Sequence, residues 1–388
     1  MIRIFVFTAL FGIVSCGQSS VSAYKSEALE EIKSILNSTL PCSSEKNENT
    51  GLCSRVSVGF QKKEPSVTSL GQRFLIIDQG MRTPAYTRYK TRVLDDIEPD
   101  ETGEYNSVVR PVELYRGELQ ILSEVLAERY PRTSAGSLSS ISRQMHQTFP
   151  NYDVYHGDAV FSTIADLNLD AEFVIAQLFK TPKTELCSLE VDTGSFKKLE
   201  NYFKSASSSL VEIIKKYKIS FVNMSFGHGM DMMTDLSLKC GGGNLSQTTQ
   251  RQVLKMIQQN FYEPLFALPE VIFVQAAPSL NHDLKENDLD YPSDCTFYPN
   301  RVRVGSRDGN YYNSDCVDVF IDSSVYEYNV TRNGIGSSSF PPPICTSWAA
   351  AFVSSYINKQ KQDHVSKNSQ FSLKRWLKSG FILEGTPR

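Results

Sequence analysis

The 388-residue chain has little tryptophan (2) and histidine (5), and neither sign of charge prevails: 40 Lys and Arg face 43 Asp and Glu, for a net −3. Such a balance excludes nucleic acid as the main partner. No cysteine pair has the C-x-x-C spacing of a zinc or thioredoxin-like site, so no cysteine-built metal centre is expected. No Gly-x-Gly-x-x-Gly follows a strand-like run, which excludes dinucleotide binding by that route. Internal repeats are absent too.

What is present begins at the amino end. Met1-Ile2-Arg3 supplies one positive charge, and Ile4 to Val14 is an apolar run of signal-peptide length. It is too short to span a bilayer. Its end, Ile13-Val14-Ser15-Cys16-Gly17, resembles the lipobox of bacterial lipoproteins, in which the cysteine is lipidated and becomes the mature amino terminus. Residues 1–16 therefore read as a signal peptide, with Cys16 the candidate membrane anchor and export to the cell envelope or beyond as its consequence. Seven further cysteines remain, an odd number in a compartment that permits disulfides. Cys42 with Cys53, and Cys295 with Cys316, are close enough for local bridges, although spacing does not fix connectivity.

From Gly17 to about residue 70 the chain is polar, with one amphipathic stretch, Ser26 to Leu36, that places Leu29, Ile32, Ile35 and Leu36 on one face. A tether, a small subdomain and a remnant prodomain all fit it. Beyond it, Arg73-Phe-Leu-Ile-Ile-Asp78 is a continuous apolar run closed by Asp78 and Gly80, the pattern of a strand buried on both faces. Ile219 to Met224 and Val271 to Ala276 repeat it, each after a helix-like segment, Lys198 to Tyr217 and Gln250 to Leu268. This alternation predicts an α/β fold with a parallel central sheet flanked by helices on both faces. Ligands on such sheets bind beyond the carboxyl ends of strands, where Asp78, Ser225 and Asn281 fall. The carboxylate run from Asp95 to Glu104 reads as a solvated loop, and Val112 to Tyr130 as a helix, inside an insertion spanning about 90–145.

Three segments carry side chains suited to nucleophilic chemistry. A serine hydroxyl attacks only with a histidine base in reach and a carboxylate to orient that base. Phe74-Leu-Ile-Ile-Asp78-Gln-Gly80, His156-Gly-Asp-Ala-Val160 and Cys345-Thr-Ser347-Trp-Ala-Ala-Ala351 supply the three in the order Asp, His, Ser. Together they resemble the motifs of the subtilisin-like serine peptidases, and Val222-Asn-Met-Ser-Phe-Gly227, Val274-Gln-Ala-Ala277 and Asn300-Arg-Val-Arg-Val-Gly305 match further stretches of that family in sequence order. The resemblance runs from Phe74 to the carboxyl end and implies a three-layer α/β sandwich over residues 71–388. It implies a triad of Asp78, His156 and Ser347, an oxyanion donor at Asn281, and a substrate-binding strand end at Ser225, Phe226 and Gly227. It also implies protein or peptide substrates and no cofactor, with structural calcium left open. His146, His228, His282 and His364 lack a matching context and read as structural or surface residues.

The chain departs from the family's pattern at four places. Asn281 arrives about two residues late, Cys345 stands where the family has glycine, Trp348 where it has methionine, and Ala351 where it has proline. Ser347 also lacks the Gly-x-Ser-x-Gly elbow of the α/β-hydrolase esterases. The expected activity is peptide-bond hydrolysis through an acyl-enzyme. The alternative is a subtilase-like lipoprotein that binds peptides or envelope proteins without cleaving them.

Overall fold

The computed structural model describes residues 29–39, 41–42, 51–59, 62–67, 71–80, 89–122, 141, 144–145, 147–149, 156–240, 245–277, 298–307, 317–322, 328–330, 338–340 and 346–378. The signal segment with Cys16, and Asn281, Cys295, Cys316 and Cys345, lie outside these residues.

An eight-stranded sheet organises the chain, in the order β10-β9-β8-β7-β2-β6-β3-β4. Its central strands are β2 (Arg73–Asp78), β6 (Glu172–Gln177), β7 (Phe221–Met224) and β8 (Ile272–Ala276). Outside these lie β3 (Val93–Pro99) and β4 (Tyr105–Ser107) at one edge, and β9 (Arg301–Arg307) and β10 (Val319–Asp322) at the other. All neighbours pair in parallel except β3 with β4, which form an antiparallel edge hairpin. Successive side chains of a strand point to opposite faces, so the run Phe74 to Ile77 feeds two cores at once. Phe74 and Ile76 pack with Val160, Ile164, Ala350 and Val353 on one side. Leu75 and Ile77 pack with Phe203, Leu210, Val253 and Leu254 on the other.

The helices divide accordingly into two outer layers, giving the three-layer α/β architecture. We number them α1 (residues 29–38), α2 (Arg116–Gln120), α3 (His156–Leu167), α4 (Lys183–Cys187), α5 (Thr193–Tyr217), α6 (Met230–Leu238), α7 (Gln247–Ile257), α8 (Glu263–Phe266), α9 (Thr346–Ser366) and α10 (Leu373–Lys378). Helices α3, α9 and α10 cover the first face, and α5, α7 and α8 the second. A single π-helical turn, Gln258–Tyr262, joins α7 to α8 and turns both Phe261 and Tyr262 inward. Asp192 caps the start of α5 by accepting from the Gly194 N–H at 2.9 Å, a helix-start device its short carboxylate suits.

A third, smaller core joins the amino-terminal segment to residues just before His156. Ile32, Ile35 and Leu36 of α1 pack with Leu114, Ile121 and Phe149. The Cys42–Cys53 disulfide closes this unit, and β1 (Arg55–Val58) pairs antiparallel with β5 (Val112–Tyr115). The stretch expected to begin a helix at Val112 therefore starts as a strand and turns helical only at Arg116. Pairing with β1 explains this: it leaves Val112, Leu114 and Tyr115 covered and only Glu113 exposed.

The acidic run also differs from the expected solvated loop. Its first part is β3, paired in the main sheet, and Asp95 and Asp96 are buried there. Burying carboxylates demands partners, which come from distant sequence. Tyr217 and Ser107 hydroxyls donate to Asp95 at 2.6 and 2.8 Å, and Lys62 pairs with it at 3.2 Å. Arg110 Nε donates to Asp96 at 2.8 Å. Only the turn beyond, Asp100 to Glu104, stays exposed in its acidic side chains. An Arg110→Met variant leaves the buried Asp96 unmatched and should cost about 3 to 5 kcal/mol in urea unfolding. A loss below about 1 kcal/mol contradicts this account of how β3 tolerates its carboxylates.

Candidate active site

The carboxyl end of β2 and the first residue of α3 meet at one point. Asp78 is 1% exposed, and its Oδ1 accepts from His156 Nδ1 at 2.7 Å and from the Gln79 N–H at 2.6 Å. Oδ2 is buried with no hydrogen-bond partner among the described residues. Burial pushes the Asp78 carboxyl above the ordinary carboxylate range, and the His156 and Gln79 hydrogen bonds oppose that push. When Asp78 is ionised it only accepts, and the contact then places the imidazole proton on Nδ1 and leaves the Nε2 lone pair facing away from Asp78.

Local structure makes this meeting possible. Gly80 adopts φ +64°, a backbone angle that glycine takes freely, so the chain turns away immediately after Asp78. The Gly157 N–H donates to the Gln79 carbonyl at 2.9 Å, tying the start of α3 to that turn. At the far end of α3, Asn168 donates to Ser355 at 2.9 Å and accepts from Asn358 at 2.8 Å. These buried amides lock α3 against α9, the helix that carries Ser347.

Ser347 is the second residue of α9 and is 6% exposed. Its hydroxyl donates to the Ser225 carbonyl at 2.9 Å, while Ser225 Oγ lies 2.9 Å from both the Ser347 carbonyl and Asn223 Oδ1. Asn223 in turn donates to Ser354 of α9 at 3.0 Å, and Thr346 Oγ1 donates to the Ala277 carbonyl at 2.7 Å. The start of α9 is thus stitched to the ends of β7 and β8. Next to Ser347, the Trp348 ring meets the His156 imidazole edge to face, with centroids 5.4 Å apart. The structure brings Asp78 into hydrogen-bond contact with His156, and Ser347 into contact with Ser225.

A cavity of about 1170 Å³ opens beside His156, bounded by Gln79, Gly80, Gln177 and Leu178 at the strand ends. Pro99 to Glu101 of the β3–β4 hairpin and Lys183 to Glu185 of α4 form its outer walls. The Cys187–Cys240 disulfide links the end of α4 to the residue region that follows α6. Nothing in the spacing of those two cysteines, 53 residues apart, pointed to that pairing.

Phe226 and Gly227 follow Ser225 at the half-buried rim of the site. His228, expected to be a structural or surface residue, is 3% exposed, with Nδ1 2.6 Å from the Tyr262 hydroxyl and its ring stacked on Phe179 at 5.2 Å. His364 lies in the last turn of α9, and His146 and His282 lie outside the described residues. Trp348 was noted in the sequence only as a departure from pattern. Its position directly after Ser347 is the available signal for its contact with His156.

The chain matches no family model and no curated protein. Solved structures similar to it include the prenylagaramide maturation protease PagA, at 12% identity and a TM-score of 0.36 over 80% of this chain and 82% of that one. They also include the self-cleaved protease domain of PatA (12%, TM-score 0.34, 80% and 87%) and the PatG macrocyclase in complex with peptide (10%, TM-score 0.36, 81% and 82%). Likeness of that degree carries no chemistry. The class is set by the molecule itself: a three-layer α/β protein in which a buried aspartate, at the carboxyl ends of the parallel strands, is hydrogen-bonded to a half-buried histidine.

Burial of His228 has a measurable consequence. It lowers the imidazole pKa to about 4, against about 6.5 in an unfolded chain. The folded state therefore binds fewer protons between those values, so stability is full above pH 6.5 and falls as pH drops toward 4. The loss should total about 3 kcal/mol in urea unfolding, at about 1.4 kcal/mol per pH unit. A His228→Gln variant should lack this component of the slope; an equal slope in the variant contradicts the assignment.

Proposed function

We propose that the protein is a serine endopeptidase that cleaves peptide bonds through an acyl-enzyme on Ser347. The observation that carries this reading is the 2.7 Å hydrogen bond from His156 Nδ1 to the buried Asp78. It leaves Nε2 as the base. For attack, the Ser347 hydroxyl rotates from the Ser225 carbonyl toward Nε2 and gives up its proton as Oγ adds to the scissile carbonyl. Asp78 keeps the imidazolium charge balanced. The imidazolium then protonates the leaving amine, and a water activated by the same Nε2 releases the acid. The Ser347 N–H, in the first turn of α9, faces the pole of the helix that favours a developing oxyanion, with Asn281 proposed as the second donor. Ser225, Phe226 and Gly227 supply backbone for the substrate strand, and the cavity beside His156 receives its side chains.

One observation favours a second reading, in which the groove binds peptide without cleaving it: the Ser347 hydroxyl donates to the Ser225 carbonyl. A fluorophosphonate probe and a protein substrate separate the two. Wild type should take up the probe and hydrolyse the substrate, whereas Ser347→Ala should lose labelling and about 10⁴- to 10⁶-fold of turnover. Hydrolysis unchanged in the alanine variant, or no labelling of intact wild type, would reject the peptidase. Saturable peptide binding without labelling would favour the second reading.

A further inference from the structure

Two residues from different elements meet the His156 imidazole, Asp78 by a hydrogen bond and Trp348 by ring contact. His156 is anchored at Nδ1 by Asp78, and its side chain remains 34% exposed at the edge of the site. Trp348 meets that ring at 5.4 Å between centroids and 66° between planes, a geometry in which one ring's edge approaches the other's π-face. Trp348 also packs on the core that holds α3 against α9, and it directly follows Ser347 on α9. One side chain therefore references the position of the base to the backbone of the nucleophile.

We propose that Trp348 is a positioning residue for the reaction: its ring restrains His156 so that Nε2 stays aligned on Ser347. The proposal rests on the peptidase reading of the site. It requires aromaticity at position 348 and not bulk alone, because an aliphatic side chain fills space without offering an edge-to-face partner to the imidazole.

Steady-state hydrolysis of one peptide by wild type, Trp348→Phe and Trp348→Leu tests it, with thermal unfolding of each protein alongside. The leucine variant should lose about three- to ten-fold in kcat with KM changed less than about two-fold, as the loss of one aromatic pair predicts. The phenylalanine variant should recover most of that loss. Leucine turnover equal to wild type overturns the proposal. Equal falls in both variants that track falls in their unfolding temperatures overturn it as well, since packing alone then explains the effect. Wild type that neither hydrolyses peptide nor takes up the fluorophosphonate probe removes the peptidase reading and this role together, an outcome distinct from active wild type with a silent leucine variant.

Discussion

A buried carboxylate is tolerable only with a partner, and at the end of β2 that partner is His156. Desolvation pushes the Asp78 carboxyl upward, and the imidazole N–H answers it at 2.7 Å. Much of the surrounding structure serves that contact. Gly80 turns the chain so that α3 can begin there, the Gly157 N–H fixes the first turn, and the Asn168 amide fastens the other end of the helix to α9. The same interaction fixes the imidazole tautomer and so defines which nitrogen is available for chemistry.

Around this pair, four chain segments converge at the carboxyl ends of parallel strands, where such sheets place their sites. The polar contacts that bring α9 there run through small side chains: Asn223, Ser225, Ser354 and Thr346. Short hydroxyls and amides allow close approach of helix to sheet while satisfying buried backbone carbonyls. The walls of the neighbouring cavity are held differently, by a disulfide on the α4 side and by the β3–β4 hairpin on the other.

The strands β2, β7 and β8 were legible because fully buried parallel strands leave a largely apolar run, and the alternation of such runs with long helices declared the class of fold. Asp78 and His156 were legible through the Asp-x-Gly and His-Gly-x-x-Val motifs that carry the resemblance, and through their order in the chain. The carboxylates of β3 were not, since their burial depends on Arg110, Ser107, Tyr217 and Lys62, none of which the run itself announces. The strand Val112 to Tyr115 is hidden for a related reason: its pairing with β1 is a contact 54 to 60 residues away in sequence, and local pattern does not report it. The contact of Trp348 with His156 likewise joins segments that only the packed sheet brings together.

The central claim is that the buried Asp78 works through His156. The most direct measurement is the turnover of an Asp78→Asn variant on a peptide substrate, with its fold checked by near-ultraviolet circular dichroism. The amide is nearly isosteric but can donate a proton to Nδ1, which favours the wrong tautomer, so kcat should fall by about 10³- to 10⁴-fold in a folded protein. A folded variant that retains turnover within about ten-fold of wild type would contradict the account.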